Sequence, residues 1–444
     1  MTLSTQPYKG ARDFYPEDKR IQKYIFDVMR QTAERFGYEE YDAPILEPLE
    51  LYLAKSSEEI VSEQTYTFED RGGRQVVIRP EMTPTVSRMI AARRQELPYP
   101  MRLYSIPNLW RYERPQKGRL REHWQLNVDI FGVGGNEAEH EIIQLADQIM
   151  RNYGAKQDMY TIRLNSRKLI DYLLGDYLGL SDVQRQTMVR LIDRMHKMDH
   201  SAFIAQTDAI FTPSQKDSGL SERLINLLAA KRIDDLPEDA QHQASVVELQ
   251  NLLQMLDSSR IKNAVFDISL MRGFDYYTDI VFEVFDNDPE NNRSMFGGGR
   301  YDGLVGLFGV EPVATVGFGM GDVTLKNFLE SHNLLPGLPP ETDAYVILIG
   351  EAMYDKVQPT LANMRRMGLN LAVDTTGRNI DKQIKTADKK GIEHVIFIGE
   401  AELAEDRFKL KNLRSGEEET HSAERLVSIL KDHRVKPKPT DDSA

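Results

Sequence analysis

The chain of 444 residues contains no cysteine. That single absence removes disulfides, thiolate nucleophiles and cysteine-ligated zinc, so no protein-bound zinc is expected. No apolar run approaches the roughly 18 residues that cross a bilayer, so no membrane attachment is expected. The first residues lack the positive-then-apolar pattern of a secretory signal, which predicts a cytoplasmic location. No GxxxxGK followed by Ser or Thr occurs, which excludes the common phosphate-binding loop. Basic residues are outnumbered, 56 against 69, giving a net charge of -13. This argues against a protein that coats nucleic acid non-specifically. A local basic groove remains compatible with it.

What is present is 41% hydrophobic residues, enough for a sizeable core and too long a chain for one. Two or three domains are expected. Residues 18–36 repeat Ile21, Ile25, Met29 and Phe36 at helical spacing and stop at Gly37. Tyr41 to Leu46 reads as extended, and Val76-Val77-Ile78 as a short strand. Thr83-Pro84 predicts a helix start, with Thr83 as cap. Another helix begins near Asn136. Residues 181–258 are almost wholly helical in pattern, with loops expected at Thr212-Pro213-Ser214 and Leu236-Pro237-Glu238. Strands resume at 264–268 and 280–284. Residues 331–342, with three prolines, read as a linker. Beyond it, apolar strands at 345–350 and 394–399 alternate with helical patterns at 354–367 and 379–390. That alternation predicts an α/β domain with a mixed sheet. The last ten residues, 435–444, are polar and read as disordered.

Chemistry concentrates in three places. Arg111, Arg114, Lys117, Arg119 and Arg121 fall within eleven positions against one acid, Glu113, with Pro115 and Gly118 marking a turn. Taken alone, this is either a solvated hairpin tip or a clamp whose guanidinium forks match phosphate oxygens. The next strand shifts the balance. Leu126, Val128 and Ile130 alternate with Gln125, Asn127 and Asp129: this is either an edge strand with one face in water or an inner strand whose amide and carboxylate imply a polar ligand. The second cluster is Met271-Arg272-Gly273-Phe274-Asp275-Tyr276-Tyr277-Thr278, directional polar groups around a turn. The third is Phe296-Gly297-Gly298-Gly299-Arg300-Tyr301, followed by Gly317-Phe318-Gly319-Met320-Gly321-Asp322. Glycines at alternate strand positions let something approach the backbone, a ligand or a packed helix. His196 and His200 lack a third ligand and read as exposed helix surface.

Together these stretches resemble the class II aminoacyl-tRNA synthetases, and among them the bacterial-type histidyl-tRNA synthetase family, over nearly the whole chain. Lys9-Gly10-Ala11-Arg12-Asp13 and Pro44-Ile45-Leu46-Glu47 are similar to its opening and first motif. RYERPQKGRLR is similar to its second motif, and RGFDYYTDIVFE and GGGRYDGL to its histidine signatures. The resemblance implies an α+β catalytic domain with an antiparallel sheet (1–180 and 259–330), a helical insertion (181–258), a linker (331–342), an α/β anticodon-binding domain (343–434) and a tail (435–444). It implies a ligase that makes histidyl-adenylate from L-histidine and ATP, then transfers the histidyl group to tRNA(His). Arg111 and Arg272 would be catalytic, gripping the α-phosphate. ATP would be bound by Arg111, Glu113, Arg119, Arg121 and Arg272. Histidine would be read by Glu81, Gln125, Asp129, Arg272, Tyr276 and Tyr277. The tRNA acceptor end would meet Arg114, Gln116, Lys117 and Arg121. Magnesium would accompany ATP, with Glu113 the candidate ligand. A homodimer is implied, with Tyr41, Ile45, Leu46, Leu49 and Leu51 available for the interface. The helical insertion would grip the acceptor stem or be structural.

Two positions depart from the family pattern. Asp129 stands where glutamate is more usual. The third motif usually ends Gly-Leu-Glu-Arg, whereas this chain has Gly321-Asp322-Val323-Thr324. The arginine that would stack on adenine and reach the γ-phosphate is missing. Arg119 or Arg121 from the basic turn is expected to replace it, with Arg300 a further candidate. The same absence lends support to an alternative, a non-catalytic regulatory subunit of ATP phosphoribosyltransferase. The intact second motif and the C-terminal α/β domain oppose that alternative.

Overall fold

A computed structural model describes residues 3–53, 64–271, 276–291 and 293–433. Arg272 and the segment 435–444 lie outside the described residues. The chain divides into two compact units, Met1–Asp13 with Gln22–Leu335, and Phe14–Ile21 with Pro336–Ala444.

The larger unit is organised by a nine-stranded sheet. Its central strand, Glu122–Phe131, pairs antiparallel with Met101–Ser105 on one side and Thr315–Gly321 on the other. Ser294–Arg300, Ile280–Asp286 and Tyr160–Ser166 continue the antiparallel order. Short parallel strands, Glu39–Glu40 and Ala264–Phe266, finish the two edges.

The alternation along Glu122–Phe131 decides which face becomes core. Leu126, Val128 and Ile130 are buried and face the helix Glu137–Asn152, which packs on this sheet through Ile142, Ala146 and Ile149. The opposite face carries Gln125, Asn127 and Asp129. Arg300 pairs with Val316, which in turn pairs with Ile130, so it belongs to the helix-covered face. There it makes two hydrogen bonds to Glu139, Nε to Oε1 at 2.6 Å and Nη2 to Oε2 at 2.7 Å. The carbonyls of Val133 and Gly135 and the Asp302 carboxylate accept its remaining protons. Arg300 is therefore not available to a nucleotide tail, which corrects the expectation raised for it.

Other local expectations shift for identifiable reasons. The helix Thr83–Ala92 begins at Thr83 itself, with Met82 at the cap position and no side-chain cap bond. Thr83 is a first-turn residue rather than the cap. Thr212-Pro213-Ser214 is a helix start, not a loop: Thr212 caps Pro213–Asp217 in a capping box with Gln215. Helices follow one another from Asp182 to Ser258. His196 lies in a short 3-10 turn and His200 opens the next helix, so they do not share one helical face.

The smaller unit holds a five-stranded mixed sheet in the order Leu371–Val373, Ala344–Leu348, His394–Ile398, Phe408–Asn412, Glu418–His421. The first three are parallel and the last two antiparallel. Val357, Leu361 and Met364 from Met353–Arg366, and Leu426 and Leu430 from Ala423–Asp432, pack into one buried cluster with Val346 and Ile396.

The Arg300–Glu139 pair makes a direct test of the sheet's buried face. Arg300→Met alone leaves a buried carboxylate uncompensated, at an expected cost of about 3–5 kcal/mol. Adding Glu139→Leu should recover most of that loss in urea denaturation. Equal losses in the single and double variants would contradict the pairing.

Candidate active site

On the uncovered face of the sheet the central strands enclose a cavity of about 170 Å³, room for one small molecule of amino-acid size. Glu81, Arg111, Gln125, Asp129, Tyr276 and Tyr277 all line it. These residues come from distant stretches, and the register explains how they meet. Asp129 pairs with Gly317, which pairs with Gly299; Asn127 pairs with Gly319, which pairs with Gly297. The floor beside the polar side chains is thus glycine.

That floor has a definite use. A Cβ at Gly317 would collide with the Asp129 carboxylate, and one at Gly319 with the Gln125 amide. The glycines let these two side chains lie flat across the neighbouring strand instead of packing against a helix. Gln125 Nε2 donates to Asn127 Oδ1 at 2.8 Å, and Asn127 Nδ2 returns a bond to the Gln125 carbonyl at 3.1 Å. Both amides are held in fixed orientation.

Asp129 is 4% exposed. Among the described residues the Tyr301 hydroxyl is its one hydrogen-bond donor. Burial pushes the Asp129 carboxyl up to about 7, and the bond from Tyr301 offsets part of that rise. Tyr301 packs edge-on against Tyr276 at 5.6 Å, and Tyr276 lies 4.8 Å from Tyr277. Tyr276 donates to Glu81 Oε2 at 3.4 Å. Three tyrosines and two carboxylates therefore form one wall.

Arg111 stands at the other end. Its Nε donates to the Pro80 carbonyl at 3.0 Å. His123 shares the strand face of Gln125, and burial, then the charges of Arg111 and Arg12, push its imidazole down to about 3. It is a neutral group beside Arg111. Beyond Arg111 the basic residues form a tight turn in which Gln116 and Arg119 exchange backbone bonds, with Gly118 at φ +80°. Arg121 is already engaged: its guanidinium lies 4.0 Å over the Tyr112 ring and donates to Tyr8 at 3.0 Å. Arg119 is 64% exposed and reaches Glu113 Oε2 at 3.6 Å. A Cβ at Gly118 would lie 3.6 Å from Thr324 Cγ2, so the turn's tip rests beside the residue that replaces the family's arginine. Thr324 itself donates to the Met295 carbonyl at 2.8 Å.

Thr83, Asn127, Tyr301 and His123 were not assigned roles from sequence, although Asn127 carried the same alternation signal as Gln125. Glu113, Arg114, Gln116, Lys117, Arg119 and Arg121 do not line the cavity and stay in the turn. Among the described residues no group of three or more His, Cys, Asp or Glu could hold a metal, and no helix is long and apolar enough to cross a membrane.

An antiparallel sheet with a polar cavity on one face, an arginine-rich turn leading off its central strand and a following mixed α/β unit is the architecture of class II aminoacyl-tRNA synthetases. The profile of histidyl-tRNA synthetase matches residues 10–322, and that of the anticodon binding domain matches residues 343–433. A histidine–tRNA ligase of Leptospira biflexa serovar Patoc is 40% identical over 432 residues, 97% of this chain and 98% of that protein. The histidyl-tRNA synthetase of Nostoc sp. PCC 7120 superimposes with a TM-score of 0.80 at 23% identity, over 97% of this chain and all of that one. An ATP phosphoribosyltransferase regulatory subunit/histidyl-tRNA synthetase from Bacillus halodurans gives 0.73 at 24% identity, over 90% of this chain and 99% of that one. The chain belongs to the histidyl-tRNA synthetase family.

The Asp129 carboxyl yields a stability test with a definite sign. Its folded-state value of about 7 lies above the usual 3.8, so the folded chain holds this proton more tightly than the unfolded one. The resulting stabilisation is complete below about pH 4 and is lost as pH rises through 7. Asp129→Asn removes that decline. The variant's melting temperature relative to the parent should be higher at about pH 8 than at about pH 5. A difference independent of pH would contradict burial as the cause.

Proposed function

We propose that this protein is a cytoplasmic, homodimeric histidine–tRNA ligase that makes histidyl-adenylate and then charges tRNA(His). The observation that carries the reading is the convergence of Glu81, Gln125, Asp129, Tyr276, Tyr277 and Arg111 on one cavity of amino-acid size. A buried carboxylate at the end of a polar slot suits the ring N–H of an imidazole. Glu81 suits the α-ammonium group, and Arg111 suits the phosphate to which the substrate carboxylate must be joined. Arg272 is assigned to the opposite side of that phosphate and to the histidine carboxylate.

In the first step a carboxylate oxygen of histidine attacks the α-phosphorus of ATP. The bond to the bridging oxygen breaks and pyrophosphate leaves with its electron pair. Charge gathers on the equatorial phosphoryl oxygens, so the protein acts by positioning and by fixed positive charge. Arg111, anchored by the Pro80 carbonyl, supplies that charge without reorganising. In the second step a ribose hydroxyl at the tRNA 3′ end attacks the carbonyl carbon, and AMP leaves. Magnesium bound chiefly through phosphates and water asks for one or two carboxylates, and Glu113 fits that limited need. When bound, it would neutralise phosphate charge.

For the missing third-motif arginine we assign Arg119. It is exposed and loosely paired, on a turn whose tip rests beside Thr324, whereas Arg121 is held by two tyrosines. Arg121, Arg114, Gln116 and Lys117 are assigned to the acceptor end of tRNA. The regulatory-subunit alternative is disfavoured by the C-terminal α/β unit and by 40% identity to a ligase over 97% of the chain.

Histidine-dependent exchange of pyrophosphate into ATP tests the reading, with the other amino acids as controls. Exchange with none of them would defeat it. Arg111→Ala should lower kcat by roughly a hundred- to a thousand-fold, about 2.7–4 kcal/mol, as for loss of an oxyanion donor. Arg119→Ala should raise the KM for ATP while leaving that for histidine in place. An unchanged KM for ATP would remove Arg119 from the role.

A further inference from the structure

Among the described residues, two hydroxyls on the cavity's face of the sheet are buried and make no hydrogen bond of ordinary geometry. The backbone N–H of Tyr41 donates to the Tyr104 carbonyl at 2.9 Å. This continues the parallel pairing of Glu39–Glu40 with Met101–Ser105 by one residue and sets Tyr41 alongside Ser105. Ser105 is the cross-strand partner of Asn127, and Leu103 is that of Asp129. Paired residues share a face of the sheet. Tyr41, Ser105, Asn127 and Asp129 therefore lie on the face that bears the cavity.

The Tyr41 hydroxyl and Ser105 Oγ are both closed to solvent, and neither makes a hydrogen bond of ordinary geometry. They are near enough to influence one another, and Asp129 exerts the largest charge effect on the Tyr41 phenol, ahead of Arg79 and Asp42. Tyr301, the donor to Asp129, also senses Tyr41. Two phenols thus stand around one carboxylate, and only one of them is bonded to it. Buried polar groups left without partners are uncommon in folded proteins and call for a reason.

We propose that Tyr41, with Ser105, is a positioning residue of the histidine subsite, giving the Asp129 carboxylate a second polar support beside the bond from Tyr301. The inference rests on the reading of Asp129 as the imidazole partner. Aspartate is one methylene shorter than the glutamate more usual there, so its carboxylate stays close to the sheet, where the long Tyr41 side chain, two strands away, is near enough to feel its charge. A carboxylate with a single donor can pivot. A second support fixes the oxygen that meets the imidazole N–H. The link is direct or runs through one water, for which these three oxygens supply the usual two to four partners.

The test uses the full-length protein and histidine-dependent pyrophosphate exchange. Tyr41→Phe should raise the KM for histidine about tenfold, with the KM for ATP unchanged within about twofold, and Ser105→Ala should act in the same direction. Melting temperature should hold, because the phenol makes no hydrogen bond of ordinary geometry in the free protein. In Asp129→Asn, adding Tyr41→Phe should cause no further loss. If Asp129→Asn leaves the histidine KM unchanged, the reading of Asp129 itself fails. If that variant is impaired but Tyr41→Phe is not, the positioning role fails. A Tyr41→Phe protein with both KM values raised and a lowered melting temperature also overturns the role, since the effect is then structural.

Discussion

The site depends on one constraint: a carboxylate is buried in the middle of a sheet and, among the described residues, a tyrosine rather than a cation is bonded to it. Charge in a poorly solvated place is costly, and a protein meets that cost with donors or lets the group take up a proton. Asp129 does some of each. Tyr301 donates to it, and the carboxyl is still pushed up to about 7. The group is therefore poised to complete its solvation with a ligand that brings its own N–H. Contrast Glu139 on the opposite face, buried to a similar degree, with a guanidinium bonded to both oxygens. One carboxylate is satisfied within the chain and builds the fold. The other is left short of partners and builds the site.

Both arise from the same sheet. The central strand spends one set of side chains on the helix Glu137–Asn152 and the other on the cavity, so packing and chemistry are linked by period-two geometry. The glycines extend the link to the next two strands. The absence of side chains at 317 and 319 gives up packing on that face, and Asp129 and Gln125 can lie down across the neighbouring strand. The wall of tyrosines then closes the end of the slot with rings that are apolar in body and polar at the tip.

Much of this was legible in the sequence because the signals are local. The alternation in Gln125 to Phe131 correctly separated a core face from a polar face. The change of texture after residue 342 announced the mixed α/β unit. The motif resemblance brought together six residues that do line one cavity. The failures are of a different kind. Arg300 follows three glycines, which carry no hydrophobic signal to show which face is which, so its commitment to Glu139 emerges only from strand register. Tyr41 comes alongside Ser105, on the cavity's face of the sheet, through pairing between segments some sixty residues apart, which no periodicity reveals. Thr83 misses the cap position by one residue and Thr212 caps a helix where a loop was expected, both at helix ends, where cap choice depends on side-chain bonds rather than on composition.

The central claim is that a glycine floor allows Asp129 to lie where it reads the substrate ring. Gly317→Ala tests it most directly, because the added Cβ would strike the Asp129 carboxylate and approach the Val128 carbonyl at 2.6 Å. Overpacking of this kind costs roughly 1–3 kcal/mol. The measurement is the pair of KM values in histidine-dependent pyrophosphate exchange. If that cost falls on the bound complex, the histidine value rises roughly five- to 150-fold, with the ATP value little changed. A Gly317→Ala protein that binds histidine as tightly as its parent would contradict it.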